Sequence, residues 1–187
     1  NHAVMAGEST TGVTTFFLEP SVDTGDIILQ KEMSIGPNET AGEVHDRMAE
    51  LGAEAVVETV RQIDAGTVET RPQDDEKATP APKIHDEDGE IPWDASAEAV
   101  HNHVRGLSPY PGAWTLHDDT RLKLYRTRRA EGTGAPGTVL DADGRLLVAC
   151  GTGAVEVVVL QQPGRQRLDA ADFLNGYALS EGDRLGE

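Results

Sequence analysis

The sequence predicts an α/β piece, made of a strand pair and a long helix, followed after a proline-punctuated linker by a small closed or partly open β-barrel. Three observations carry that prediction. Two runs rich in β-branched and aromatic residues flank a short polar connector within the first 35 residues. An apolar pattern of helical period then runs between Thr40 and Gly66. Finally, five short strand-like runs separated by turn residues crowd the stretch 113–161.

The first strand is expected over residues 12–18 and the second over 27–35, where Ile27, Ile28, Leu29, Met33 and Ile35 fall. Their connector, residues 19–26, holds Pro20, Gly25, Asp23 and Asp26, and is longer than a two-residue hairpin, so it is built to present side chains. Thr40 with Glu43 three residues later is a capping-box pattern. Val44, Met48, Leu51, Ala55, Val56, Val60 and Ile63 recur at three- and four-residue spacings behind it, and that stripe is expected to lie on the strand pair. From Gly66 to Asp88 the period vanishes, and Pro72, Pro80 and Pro82 interrupt a charged run, as in an extended linker.

A short helix carrying Ala97, Val100, Val104 and Leu107 is predicted next, capped by Asp94 or Ser96 and broken by the run from Ser108 to Trp114. Strands are expected near 113–117, 121–127, 137–140, 145–150 and 154–161, with turns at Asp118-Asp119, Gly132 to Gly134, Asp143-Gly144 and Gly151 to Gly153. Asp169 opens a last helix, residues 170–174, ended by Asn175-Gly176.

The 187 residues suffice for one ordinary domain or two small ones, and 37% hydrophobic residues suffices for a core. No run approaches the roughly 18 apolar residues of a membrane span, and the first residues lack a signal-peptide layout, so a soluble cytoplasmic protein without a membrane partner is expected. The chain opens on Asn1 inside a run of apolar and small residues, and reads as a piece of a longer polypeptide. Cys150 alone forms no internal disulfide and no cysteine-built zinc site; it reads as a small apolar side chain in a strand.

A formal charge of −17 argues against a nucleic-acid partner, because phosphate binding relies on Lys and Arg. The distribution softens this. Residues 1–109 hold 7 basic and 22 acidic side chains, whereas residues 110–187 hold 9 and 11. Arg121, Lys123, Arg126, Arg128 and Arg129 lie almost together, which fits either alternating charges on the outer face of a strand or a nucleic-acid patch.

Among residues that carry chemistry, Val22-Asp23-Thr24-Gly25-Asp26 is the most specific local feature, since a carboxylate held between strands can move protons or orient a water. The plain alternative is a turn whose Asp and Gly serve backbone shape. Asp23-Thr24-Gly25 also matches the aspartic-protease triplet, but it occurs once, and Asp26 would place a second ionised carboxylate beside the dyad. His101 and His103, two apart on a helix, point to different faces and do not chelate one ion, and no metal site is expected. Cys150-Gly151-Thr152-Gly153 lacks the third glycine of a dinucleotide fingerprint and reads as a hairpin turn.

Taken in order, Thr11-Gly12-Val13-Thr14, Val22-Asp23-Thr24-Gly25-Asp26-Ile27, the helix from Glu39 to Ala53, Ala78-Thr79-Pro80-Ala81-Pro82-Lys83-Ile84, Ser108-Pro109-Tyr110-Pro111-Gly112-Ala113-Trp114-Thr115 and Ala170-Ala171-Asp172-Phe173-Leu174-Asn175-Gly176 resemble the methionyl-tRNA formyltransferase family over nearly the whole chain. The resemblance implies that residues 1–67 are the end of a formyltransferase catalytic domain, 68–88 a linker and 89–187 an OB-like tRNA-binding barrel. It implies transfer of a formyl group from 10-formyltetrahydrofolate to the methionyl amino group of initiator tRNA in translation initiation. Asp23 would be the catalytic carboxylate that holds a His and a water, and Val22, Asp23, Thr24 and Gly25 would line the folate pocket. Lys83, Arg121, Lys123, Arg126, Arg128 and Arg129 would contact tRNA phosphates. The family's Asn and His would lie upstream of residue 1, so Asn1 and His2 are given no catalytic role and the 187 residues alone are expected to be inactive. A monomer is expected. Other folate-dependent formyltransferases, a formyltetrahydrofolate hydrolase and a non-catalytic RNA-binding fragment are the competing readings.

Overall fold

The structure, a computed structural model, describes residues 1–186 and divides into two compact units. One comprises Ser9–Gly36 and Glu43–Pro82; the other comprises Asn1–Glu8, Pro37–Gly42 and the chain from Lys83 onward.

In the smaller unit, strands β1 (Thr10–Phe16) and β2 (Ile27–Ser34) pair antiparallel, from Thr10 opposite Ser34 to Thr15 opposite Leu29, with a register shift at Phe16. Helix α2 (Ala41–Asp64), counted in this unit from Glu43, ends before Gly66, whose φ of +65° a residue with a Cβ rarely adopts. Val44, Ala55 and Thr59 are its buried positions within this unit, with Met48 and Leu51 half-buried. The Thr15 hydroxyl donates to Thr59 Oγ1 at 2.7 Å, and Thr59 in turn donates to the Ala55 carbonyl at 2.8 Å. Lys31 adds ion pairs from β2 to Glu58 at 2.9 Å and Glu54 at 3.8 Å.

The expected stripe is corrected at its second half. Val56, Val60 and Ile63 are 54%, 58% and 47% exposed, and Val57 stands exposed beside them. A two-stranded ribbon is too narrow to cover an apolar arc this wide, and the line of α2 that it does cover runs through Ala55 and the hydroxyl of Thr59.

The larger unit holds α1 (His2–Met5), α3 (Ala97–Gly106), strands β3 (Ala113–His117), β4 (Thr120–Ala130), β5 (Val139–Asp141), β6 (Leu146–Ala149), β7 (Ala154–Gln161) and β8 (Leu168–Asp169), and α4 (Ala170–Leu174). Ser96 caps α3 by accepting from the Ala99 amide at 3.2 Å. The sheet is antiparallel throughout, in the order β3-β4-β7-β6-β5, with β8 added to β7. Register shifts on both sides of Arg126 in β4 and one in β5 raise the local twist and curl the sheet. Val100 and Val104 of α3 and its C-cap Leu107 pack into one core with Leu122, Leu124, Val148, Val155, Val157 and Leu160. Strand β8 has two residues, too few to show a period in the sequence.

Candidate active-site loop and basic face

The loop between β1 and β2 is closed at its base by the Phe17 amide donating to the Asp26 carbonyl at 3.1 Å. Its shape is then imposed from a distance. Ile27 and Arg71 exchange both backbone hydrogen bonds, at 2.8 and 3.0 Å, and the Gln73 amide nitrogen donates to the carbonyls of both Asp23 and Gly25 at 2.8 Å each. The Thr70 hydroxyl reaches the Asp26 carboxylate at 3.4 Å, and the Arg71 guanidinium bonds the Gln30 side chain. Residues 70–73, read from composition as the start of a free linker, thus brace the loop.

Within it, Asp23 sits at φ 59°, in the left-handed region that Asp tolerates better than most residues. The Thr24 hydroxyl donates to the Ser21 carbonyl at 3.2 Å. Gly25 is buried, and a Cβ there would stand 1.6 Å from the Phe17 carbonyl oxygen, so only glycine fits. The result is a fixed backbone that presents the Asp23 carboxylate and the 85% exposed Val22 side chain outward. Among the described residues no side chain hydrogen-bonds the Asp23 carboxylate, and the cavities of 690, 510 and 450 Å³ all lie in the other unit.

The five basic residues of β4 do not form one patch. Arg121 makes a two-pronged ion pair to Asp86, at 2.8 and 2.9 Å, and lies 4.0 Å over the Trp114 ring; the Arg121 guanidinium holds the Asp86 carboxyl below its usual range. Arg129 bonds Glu98 at 3.2 Å. Cross-strand register places Arg128 opposite Glu156 but Arg129 opposite the core residue Val155, so the two consecutive arginines point to opposite faces. Lys123 donates to the Pro111 carbonyl at 2.8 Å, and Arg126 and Arg128 are exposed on the outer face. Lys83 is exposed at the start of this stretch of the unit.

The histidine pair serves the core. His101 is buried, with its two ring nitrogens 2.9 Å from the Thr127 hydroxyl and the Pro37 carbonyl, and burial pushes its pKa down; burial does the same to His103. Burial pushes the Cys150 thiol up to about 11, so it stays a neutral apolar side chain, placed just past the end of β6. Among the described residues no three His, Cys, Asp or Glu side chains are grouped to hold a metal ion, and no helix is long and apolar enough to cross a membrane.

The sequence profile of the formyl transferase C-terminal domain matches residues 83–178, and that of the formyl transferase domain matches residues 1–60. The chain belongs to the formyl transferase family. Relatives of this formyl transferase include methionyl-tRNA formyltransferases of Solibacter usitatus, 46% identical over 99% of this chain and 60% of that protein, and of Citrifermentans bemidjiense, 43% identical over 100% and 59%. The chain thus spans about three fifths of the length of the curated relatives it matches. In fold it is similar to HypX of Aquifex aeolicus, solved in complex with tetrahydrofolic acid, with a TM-score of 0.69 and 23% identity over 92% of this chain and 31% of that one.

Sequence reasoning missed Gln73 as a positioning residue, because a single amide in a polar, proline-punctuated run carries no pattern. It also missed Arg167, which lies 3.6 Å over the Tyr125 ring. No local motif marks it, and only the β7–β8 pairing brings it beside β4.

Proposed function

We propose that this formyl transferase chain supplies the carboxylate loop and the RNA-binding domain of a methionyl-tRNA formyltransferase, which moves a formyl group from 10-formyltetrahydrofolate to the methionyl amino group of initiator tRNA. The observation that carries the reading is that relatives of that name match the chain from end to end at 43–46% identity, and this chain has a braced loop that presents the Asp23 carboxylate outward. Attack of the amine on the formyl carbon creates a tetrahedral oxyanion, and protons must then leave one nitrogen and reach the other. Asp23 suits the proton-handling side of that step: Gln73 fixes its main chain while its oxygens stay free to hold a water or an imidazole. Val22, Thr24 and Gly25 fit one wall of a folate site, with an apolar side chain at the tip and a backbone held at a fixed height.

Residues 89–187, which make up most of the larger unit, are read as the OB-like module after a linker over 68–88, and Lys83, Lys123, Arg126 and Arg128 as phosphate contacts. Arg121 and Arg129 stand in the same proposed set, with their carboxylate partners Asp86 and Glu98 as competitors for phosphate. The setting is the cytoplasm, where translation initiates, and the protein acts as a monomer.

The test is formyl transfer to initiator methionyl-tRNA. In the full-length protein, Asp23→Asn is expected to lower kcat by about 10²- to 10⁴-fold, the range for loss of one acid–base group. The 187-residue chain alone is expected to give no turnover, since it spans only about three fifths of the length of the relatives it matches. Robust turnover by the chain alone, or an active Asp23→Asn protein, sinks the proposal.

A further inference from the structure

The larger unit carries an exposed aromatic residue whose flanking carbonyls are held by two cations, of which Lys123 already stands in the proposed phosphate-contact set and Arg167 does not. Tyr110 is 82% exposed, the most exposed aromatic side chain among the described residues. Its main chain is nevertheless pinned on every side. Arg167 donates to the carbonyl before it, on Pro109, at 3.5 Å; Lys123 donates to the carbonyl after it, on Pro111, at 2.8 Å; and Asn1 donates to its own carbonyl at 3.3 Å. The Gly112 amide closes the loop onto the Leu107 carbonyl at 2.8 Å.

Neither cation hydrogen-bonds a carboxylate among the described residues. Arg121, Arg129 and Arg145 are each neutralised by a carboxylate, whereas Lys123 and Arg167 bond only neutral carbonyls and, for Arg167, the Tyr125 ring. On a chain with 33 acidic and 16 basic side chains, two cations that hydrogen-bond carbonyls rather than carboxylates mark a place for an anion, even with Asp86 close enough to feel the charge of Lys123. The outward Tyr110 ring on this held main chain adds a flat apolar surface, which a protein interior would cover and a nucleobase would stack upon.

We propose that Tyr110, Arg167 and Lys123 form a reader of an unpaired nucleotide of the RNA substrate, with the base stacked on the Tyr110 ring and the adjoining phosphates on the two cations. The inference rests on the RNA-binding reading of this unit and deepens it. Ring exposure and cation placement together select a single-stranded segment over a blunt duplex, whose bases offer no free faces.

The experiment measures affinity of the full-length protein for initiator tRNA and for a blunt RNA duplex, by fluorescence anisotropy across a salt series. Tyr110→Ala is expected to weaken tRNA binding roughly 5- to 150-fold, the span of one lost base–aromatic stack, with the salt slope unchanged and duplex binding untouched. Tyr110→Phe keeps wild-type affinity. Arg167→Ala lowers the slope of log affinity against log salt by about 0.7, one phosphate on a single strand. Equal affinity of Tyr110→Ala and wild type for tRNA overturns the inference while leaving the RNA-binding reading intact, provided that reversing Arg126 and Arg128 to Glu still weakens binding. Loss of no affinity in either set removes both. Because Tyr110 is exposed, its replacement leaves the core unaltered, and circular dichroism verifies the fold in each variant.

Discussion

Gln73 and Asp23 are fifty residues apart, yet one side-chain amide of the first holds two carbonyls flanking and including the second. Each such bond contributes about 0.5–1.5 kcal/mol net, so Gln73→Ala relaxes the loop without unfolding the unit. On the proposed function, in the full-length protein it is expected to lower kcat by about 10- to 100-fold, as displacing a reacting group by about an ångström does, with KM for tRNA unchanged. An unaltered kcat would show that the brace is dispensable. His101 gives a second residue-level expectation. Burial depresses its pKa in the folded state below the 6.5 of the unfolded chain, so folding favours the neutral ring. The stability this contributes is present above pH 6.5 and is lost as pH falls through the window beneath it. The urea midpoint is expected to drop from pH 7.5 to 5.5, and to drop less in His101→Gln; equal drops would assign the effect elsewhere. The loop that presents Asp23 was legible in the sequence because Pro20, Asp23, Gly25 and Asp26 in a connector between two strand-like runs are a local pattern. Its brace was not, because pairing over fifty residues leaves no mark on either partner's neighbours.

Helices and strands were legible where a period could accumulate. Helix α3 starts on its Ser96 cap and buries Val100, Val104 and, at its C-cap, Leu107 as spacing predicts, and all five strand runs of the larger unit are present. Leu107→Ala is expected to cost about 2–5 kcal/mol in urea unfolding, as for fully buried leucines, and Ser96→Ala about 1 kcal/mol. A Leu107→Ala loss below that of Ser96→Ala would contradict the core assignment. Helix α2 shows where periodicity misleads. Its spacing marks an apolar face but not how much of it a neighbour covers, and two strands leave Val56, Val60 and Ile63 outside. Likewise, the spacing of Arg121 to Arg129 suggested one patch, and the register shifts around Arg126 together with Asp86 and Glu98 divide it.

Across the whole molecule the surplus of acid is uneven, with 22 acidic side chains against 7 basic in residues 1–109. Like charges at this density repel and weaken the compact state, and salt screens them, with a Debye length of about 10 Å at 0.1 M and about 3 Å at 1 M. The midpoint of thermal unfolding is therefore expected to rise between 0.05 and about 1 M KCl, consistent with adaptation to high salt. A maximum at ordinary ionic strength would set self-repulsion aside as the limiting factor. On the proposed function, RNA affinity should move the opposite way over the same series, since released counterions would drive it.

The brace at Gln73 also decides where this polypeptide tolerates being cut. A shortened version ending at the last turn of α2 would keep both strands and the helix yet leave the carboxylate-bearing bend without its clamp. Trimming should therefore go no further than Pro82, where the smaller unit closes. Grafts that borrow the bend for another scaffold must carry its distant amide with them.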